Sequence, residues 1–169
     1  MLRLKPYARQ DAQAVCSWFT DERAFHLWSA GKLERFPMRP EDLNRYYDEN
    51  EGSSLWAMTA FDEEGIAGHV MMRFLDEKRT ELRLGLIVVD GSRRGRGYGR
   101  EMVSMAARYA FDYAGAKRVT ILVFLENPAA IRCYGACGFR MTAGRSPEKF
   151  PCMGEEWRLA EMELVKTEA

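Results

Sequence analysis

The sequence predicts a mixed α/β fold, in which a mostly antiparallel sheet of about seven strands is flanked by about four helices. Three observations carry that expectation. Between Leu55 and Val89, apolar runs are separated by short turns at Asp62-Glu63-Glu64-Gly65 and Asp76-Glu77-Lys78-Arg79, the pattern of consecutive antiparallel strands. From Thr80 to Phe124 the order becomes strand, glycine-rich turn, helix, strand, and a right-handed crossover makes those two strands parallel neighbours. Last, Trp157 to Val165 alternates well enough to form a final strand beside one that opens at Phe139.

Leu2 to Pro6 alternates apolar and charged residues and predicts a first strand, ended by the proline. Asp11 is placed to cap a helix whose apolar positions are Ala14, Val15, Trp18 and Phe19. Phe25 to Arg39 mixes Phe25, Trp28 and Phe36 with polar residues around Gly31 and Pro37, and predicts irregular chain that lines a pocket or seals a small core. Pro40-Glu41-Asp42 resembles the first turn of a helix running through Leu43, Tyr46 and Tyr47. Leu55–Phe61, Ile66–Leu75 and Thr80–Val89 are the three meander strands, and the last, ending Leu84-Gly85-Leu86-Ile87-Val88-Val89, is apolar enough to be buried on both faces. Met102, Val103, Ala106, Ala110 and Tyr113 recur at helical spacing until Gly115, and β-branched residues mark Lys117–Phe124 as a strand. Asn127-Pro128 starts another helix with a narrow face of Ala130, Ile131, Tyr134 and Gly135, stopped at Gly138.

A chain of 169 residues can bury one core and is short for two domains, so a single domain over 1–169 is expected. Its 25 basic and 25 acidic residues cancel, which removes any overall field toward nucleic acid or an anionic membrane. No window approaches the run of about 20 apolar residues that spans a bilayer, and the charged start lacks a secretory h-region. A cytoplasmic location is the resulting expectation. The cysteines, Cys16, Cys133, Cys137 and Cys152, contain no CxxC pair, and with His26 and His69 they offer no recognisable set of ligands; no metal is expected.

The candidate site begins with Arg94-Gly95-Arg96-Gly97-Tyr98-Gly99, between a buried strand and an amphipathic helix. The first N–H groups of a helix have no internal partners and the dipole there favours an anion. Glycines supply the dihedrals and close approach that let several N–H groups converge on one phosphate. Arg94, Arg96 and Arg100 can add charge or face solvent. A Walker turn needs Lys and then Ser or Thr, whereas Arg100-Glu101 come after Gly99; a dinucleotide fingerprint is GxGxxG, whereas the spacing here is GxGxG.

Together with the chain downstream of it as far as Phe139, this turn resembles the acetyl-CoA core of the GCN5-related N-acetyltransferase (GNAT) superfamily. The family motif R/Q-x-x-G-x-G/A is matched by Arg94, Gly97 and Gly99; a second signature, Asn, small residues, Tyr, then Gly-Phe, is matched by Asn127, Ala129, Ala130, Tyr134, Gly138 and Phe139. The match covers about residues 82–139, leaving about 1–60 and 140–165 to shape the acceptor site. The resemblance implies a GNAT-like acyl-CoA N-acyltransferase fold, acetyl-CoA as cosubstrate, and direct transfer to an amine. It implies further that backbone amides from Arg94 through Gly95, Arg96, Gly97, Tyr98 and Gly99 to Arg100 hold the pyrophosphate. Ile87, Val88 and Val89 would pair with the pantetheine arm, on a strand splayed from its neighbour, and Asn127 would bind near that arm. Tyr134 would approach the leaving thiolate.

The chemistry needs a neutral amine and a group that protonates the departing sulfur. Tyr134 carries a hydroxyl for the second task, with a packed ring as the plain alternative. For the base, Glu81 stands at the start of the strand leading to the cofactor, where family members often place an acidic residue; a solvated or ion-paired side chain is the alternative. His69 is the other candidate, against a hydrogen-bonded histidine on a strand face. A covalent route through Cys133 or Cys137 would need a histidine, and only His69 could approach, so direct attack is preferred. The acceptor, a small-molecule or peptide amine, could meet aromatic residues such as Trp28, Phe36 and Trp157 or the acidic Asp48, Glu49, Glu51 and Glu155. A non-catalytic acyl-CoA or nucleotide sensor explains the same turn. Nucleic-acid binding through Arg93, Arg94, Arg96 and Arg100 lacks a wider basic stripe. Monomer and homodimer both remain open.

Overall fold

The computed structural model describes residues 1–168. Its sheet contains β1 (Arg3–Pro6), β2 (Leu55–Asp62), β3 (Gly65–Phe74), β4 (Glu81–Val89), β5 (Arg118–Phe124), β6 (Arg140–Met141), β7 (Glu148–Cys152) and β8 (Glu155–Val165). The strand order is β1-β2-β3-β4-β5-β8-β6, with β7 also beside β8. The helices are α1 (Ala12–Ser17), α2 (Glu22–Ser29), α3 (Pro40–Glu49), α4 (Tyr98–Asp112) and α5 (Pro128–Ala136). The antiparallel meander, the parallel β4–β5 pair and the return of the final strand beside the one after Phe139 all match expectation.

The strand beyond the expected seven is β7. Its sequence, Glu148-Lys149-Phe150-Pro151-Cys152, has a proline and little apolar alternation, so it carries no strand signal. A proline is tolerated there because β7 pairs only with β8, and an edge strand needs no donor on its outer side.

The helix beyond the expected four is α2, which replaces the irregular chain predicted from Phe25. The Asp21 carboxylate caps it by accepting from the Arg23 amide at 2.9 Å, and Ala30 ends it in the left-handed region. Phe25 is fully buried, a contribution of about 1.5–3 kcal/mol. Asp11 also differs from expectation. It closes a short 3-10 turn, Arg9–Asp11, by accepting from the Ala8 amide at 3.0 Å, and it takes the Thr59 hydroxyl at 2.8 Å. That anchor to β2 replaces the predicted cap, and α1 stops at Ser17, before Trp18 and Phe19.

The sheet divides the core in two. Val70, Met72, Leu82 and Leu84 face Met102 and Ala106 of α4, while Met71, Leu86 and Val88 face Val15, Phe25 and Leu43 on the side of α1–α3. Along β4 the buried side chains therefore change face between Leu84 and Leu86. The cause is one extra residue: His69 of β3 pairs with Val88 and Met71 with Gly85, and Leu86 sits at φ +46°. A bulge of this kind flips the alternation and bends the strand. It marks the point where β4 leaves β5. The two strands pair only from Glu81↔Arg118 to Leu84↔Ile121; beyond that β4 stays with β3, β5 with β8, and a wedge opens between them.

Candidate active site

The wedge is a cavity of about 780 Å³. One wall is Ile87, Val88 and Val89 of β4, the other is Ile121 to Phe124 of β5, and α5 contributes Cys133 and Tyr134. The unpaired strand ends leave backbone N–H and C=O groups free to bind an extended chain, because the partner that would have taken them has diverged.

At the mouth stands the start of α4. The first bond of the helix runs from the Glu101 amide to the Gly97 carbonyl at 3.0 Å, and Gly97 carries no side chain to cap the preceding amides. Those of Tyr98, Gly99 and Arg100 are therefore orphan donors at the positive end of a 15-residue helix. Gly95 and Gly97 both lie at φ +80°, and a Cβ at either would meet nothing within 4 Å, so the turn keeps an open concave face. Arg94, Gly95, Gly97, Tyr98, Gly99 and Arg100 all line the cavity. This donor set fits a pyrophosphate.

Two residues outside the sequence motif hold the turn. Arg93 is buried and its guanidinium binds Asp62 at 2.5 Å; the Tyr98 hydroxyl donates to the other Asp62 oxygen at 2.6 Å. Tyr98, the Glu64 amide and Arg93 together pull the Asp62 carboxyl down to about 2 against the effect of burial. The β2–β3 hairpin thus clamps both ends of the glycine-rich segment. Nothing in the spacing of the sequence links Asp62 to it.

Asn127 and Tyr134 line the cavity as expected. The Asn127 side chain also caps α5, accepting from the Ala130 amide at 3.3 Å. Tyr134 is buried, and desolvation, then the neighbouring Cys133 and Cys137, push its phenol well above the usual value. It is protonated throughout the neutral range, the state a proton donor needs.

Two expectations need correction, Glu81 and Arg96, and for His69 the hydrogen-bonded alternative holds. Glu81 does not reach the cavity: it lies at the opposite end of β4 from Val88, roughly 20 Å away at strand rise, and is ion-paired with Arg118. Arg96 turns its guanidinium outward toward Glu64 at 3.5 Å and is absent from the lining, leaving only its backbone for the turn. His69 is fully buried on the α1–α3 side, with Nε2 2.6 Å from the Tyr47 hydroxyl. It is therefore unable to serve Cys133 or an amine in the wedge. Among the described residues no carboxylate and no imidazole lines the cavity.

Burial lowers the His69 pKa to about 3, and the Asp11 charge offsets only part of that effect. The unfolded chain binds the proton near pH 6.5 and the folded chain does not. Above pH 6.5 the residue costs nothing. Between pH 6.5 and about 3 it costs about 1.4 kcal/mol of stability per pH unit. Urea unfolding at pH 7.0 and 5.5 should show this slope, and His69→Gln, which keeps an acceptor for Tyr47, should flatten it by that amount; an unchanged slope refutes the assignment.

Another part of the lining is less legible in the sequence. It is formed by Phe19, Ala24, Leu27 and Trp28, all from α2 or the segment before it. Of these, Trp28 alone belongs to the aromatic residues expected at the acceptor site. The signal for the rest is Asp21, then Phe25 and Trp28 at helical spacing.

A parallel strand pair split by a bulge, with an uncapped helix mouth at its throat, suits an extended ligand that carries phosphate. The comparisons agree. Residues 13–139 match the model of the Acetyltransferase (GNAT) family. Spermidine N(1)-acetyltransferase of Vibrio cholerae is 20% identical over 166 residues, covering 98% of this chain and 94% of the relative. The crystal structure of the Vibrio cholerae enzyme with CoA and spermine superimposes with a TM-score of 0.80 at 19% identity, covering 97% of this chain and 95% of the other. A dodecameric structure of the same enzyme gives 0.75 at 19% identity, with 97% and 93% covered. The chain belongs to the acetyltransferase (GNAT) family. Its donor is accordingly acetyl-CoA and its acceptor an amine.

Proposed function

We propose that the wedge between β4 and β5 is the catalytic centre, and that acetyl passes there directly to the primary amine of a small molecule or of a protein N-terminus or lysine. The observation that carries this reading is the convergence of orphan amides at Tyr98, Gly99 and Arg100 with a protonated, buried Tyr134 on one cavity. The residues of the turn, Arg94 to Arg100, would hold the pyrophosphate, and Ile87, Val88, Val89 and Asn127 the pantetheine arm. Bound there, acetyl-CoA supplies an activated thioester carbonyl.

Each group of the chain then has a defined task. The free edge of β4 orients the carbonyl for an amine arriving from the side of Phe19 and Trp28. The amine nitrogen bonds to the carbonyl carbon, the carbon–sulfur bond breaks, and the Tyr134 hydroxyl gives its proton to the sulfur. The extra proton on nitrogen leaves to water, because no carboxylate or imidazole lines the cavity. Tyr134 is reprotonated from solvent.

The catalytic core is proposed to span about 82–139, with about 1–60 and 140–165 shaping the acceptor site within one domain. A cytoplasmic location and a monomer or homodimer complete the reading; light scattering distinguishes these from a larger assembly of the kind formed by the Vibrio cholerae relative. No helix among the described residues is long and apolar enough to cross a membrane. An acetyl-CoA-dependent screen of amines, with free thiol and acetylated products both measured, tests the function. Transfer to at least one amine is expected. Tight CoA binding with no transfer across a broad panel would instead mark a sensor.

A further inference from the structure

Beside the acceptor end of the wedge lies an annex of about 70 Å³. It adjoins the main cavity, and Trp28, Leu86 and Phe124 line both. Its polar walls are Lys32, Arg73 and Arg83. Of the three, Arg83 is neutralised by Glu161, at 2.5 Å. Neither Lys32 nor Arg73 has a carboxylate within 4.0 Å among the described residues. Glu161 is already shared with Arg118 and Arg145, and Glu81 and Glu163 are engaged by Arg118, so the nearby acids have little capacity left.

Desolvation, then the charges of Arg73 and Arg83, push the Lys32 ammonium below its usual value. The Lys32 Cε lies over β4 next to the bulge, 4.0 Å from where a Cβ of Gly85 would stand. The indole N–H of Trp28, a residue that lines the annex, is buried without a partner. The annex thus presents an excess of positive charge and of hydrogen-bond donors, and an anion would relieve both. Its volume is about two waters' worth, which suits the three heavy atoms of a carboxylate.

We infer that Lys32 and Arg73 bind a carboxylate of the acceptor, so that the substrate is a small amine of amino-acid type rather than a polyamine. The inference rests on the acetyl-transfer reading above and adds the charge of the acceptor to it. A polyamine, the kind of molecule present with CoA in the Vibrio cholerae structure, would bring a second cation against two unpaired ones.

The test compares phenylalanine, leucine and γ-aminobutyrate with their decarboxylated counterparts phenethylamine, isoamylamine and propylamine, and with spermidine, at saturating acetyl-CoA. The best carboxylate-bearing amine should exceed its counterpart roughly tenfold in kcat/KM, the scale of one charge-assisted hydrogen bond. Lys32→Met and Arg73→Met should each erase most of that preference through KM, with kcat for the decarboxylated amine and the Kd for CoA unchanged. Both substitutions relieve like-charge crowding, so neither should lower the melting temperature. Faster turnover of spermidine or of the decarboxylated amines by the wild-type protein overturns the inference and leaves the transferase reading standing. Unchanged KM values in both variants overturn it too. Absence of transfer to every amine overturns both together.

Discussion

Tyr134→Phe should lower kcat about a hundredfold while the Kd for acetyl-CoA stays within about twofold, the usual scale for loss of one positioned proton donor. The ring of Tyr134 is buried among Met102, Phe139 and their neighbours, and phenylalanine fills the same volume. The change therefore removes a hydroxyl and leaves the packing. Burial and the adjacent thiols keep that hydroxyl protonated at any pH where the fold is stable, so the wild-type rate should show no limb from its ionisation. The remaining pH dependence belongs to the acceptor. Because no carboxylate or imidazole lines the cavity, kcat/KM should rise about tenfold per pH unit until the pKa of the amine itself is reached. Single-turnover measurement, which isolates chemistry from product release, decides the matter. A Tyr134→Phe variant with unchanged single-turnover rate removes the acid role.

Gly97→Val should weaken acetyl-CoA binding about a hundredfold, with the melting temperature within a few degrees of the wild type. Gly97 lies at φ +80°, and a Cβ there would touch nothing within 4 Å, so the substitution acts on the backbone and not through a clash. A β-branched residue is strongly disfavoured in the left-handed region and pulls φ back to negative values. That rotation swings the amides of Tyr98 and Gly99 off their shared focus. A loss of about 2.7 kcal/mol corresponds to the stated factor, and is what one or two charge-assisted hydrogen bonds supply. Calorimetry with CoA and with a dephosphorylated pantetheine fragment separates the causes. The variant should lose affinity for CoA and keep that for the fragment; equal losses would place the defect in the strand wedge.

The acid-lability of His69 and the carboxylate preference of the annex rest on residues whose importance the sequence hides in different ways. His69 is visible as a titratable group on a strand, but its neighbours Tyr47 and Tyr7 come from other elements, and only their packing seals it. Lys32 and Arg73 are separated by α3, β2 and most of β3, so no spacing rule connects them. Glu81 illustrates the opposite error. Its place at the start of the right strand is legible, yet a strand extends by about 3.3 Å per residue, and seven residues put it far from Val88. Arg96 belongs to the motif by position, but its side chain turns to the charge of Glu64.

What the sequence determined by itself is local. Alternation marked the strands, glycines and the helix after them marked the anion turn, and Asn127-Pro128 marked the start of α5, since each depends on residues within one or two turns of chain. The tertiary structure alone decided where those pieces act. One extra residue at Leu86 splits β4 from β5 and creates the wedge, Asp62 reaches from a distant hairpin to hold the turn, and Lys32 meets Arg73 in one small pocket with Trp28. Such features depend on contacts between segments far apart in the chain, where charge and packing are set by neighbours that no local pattern names.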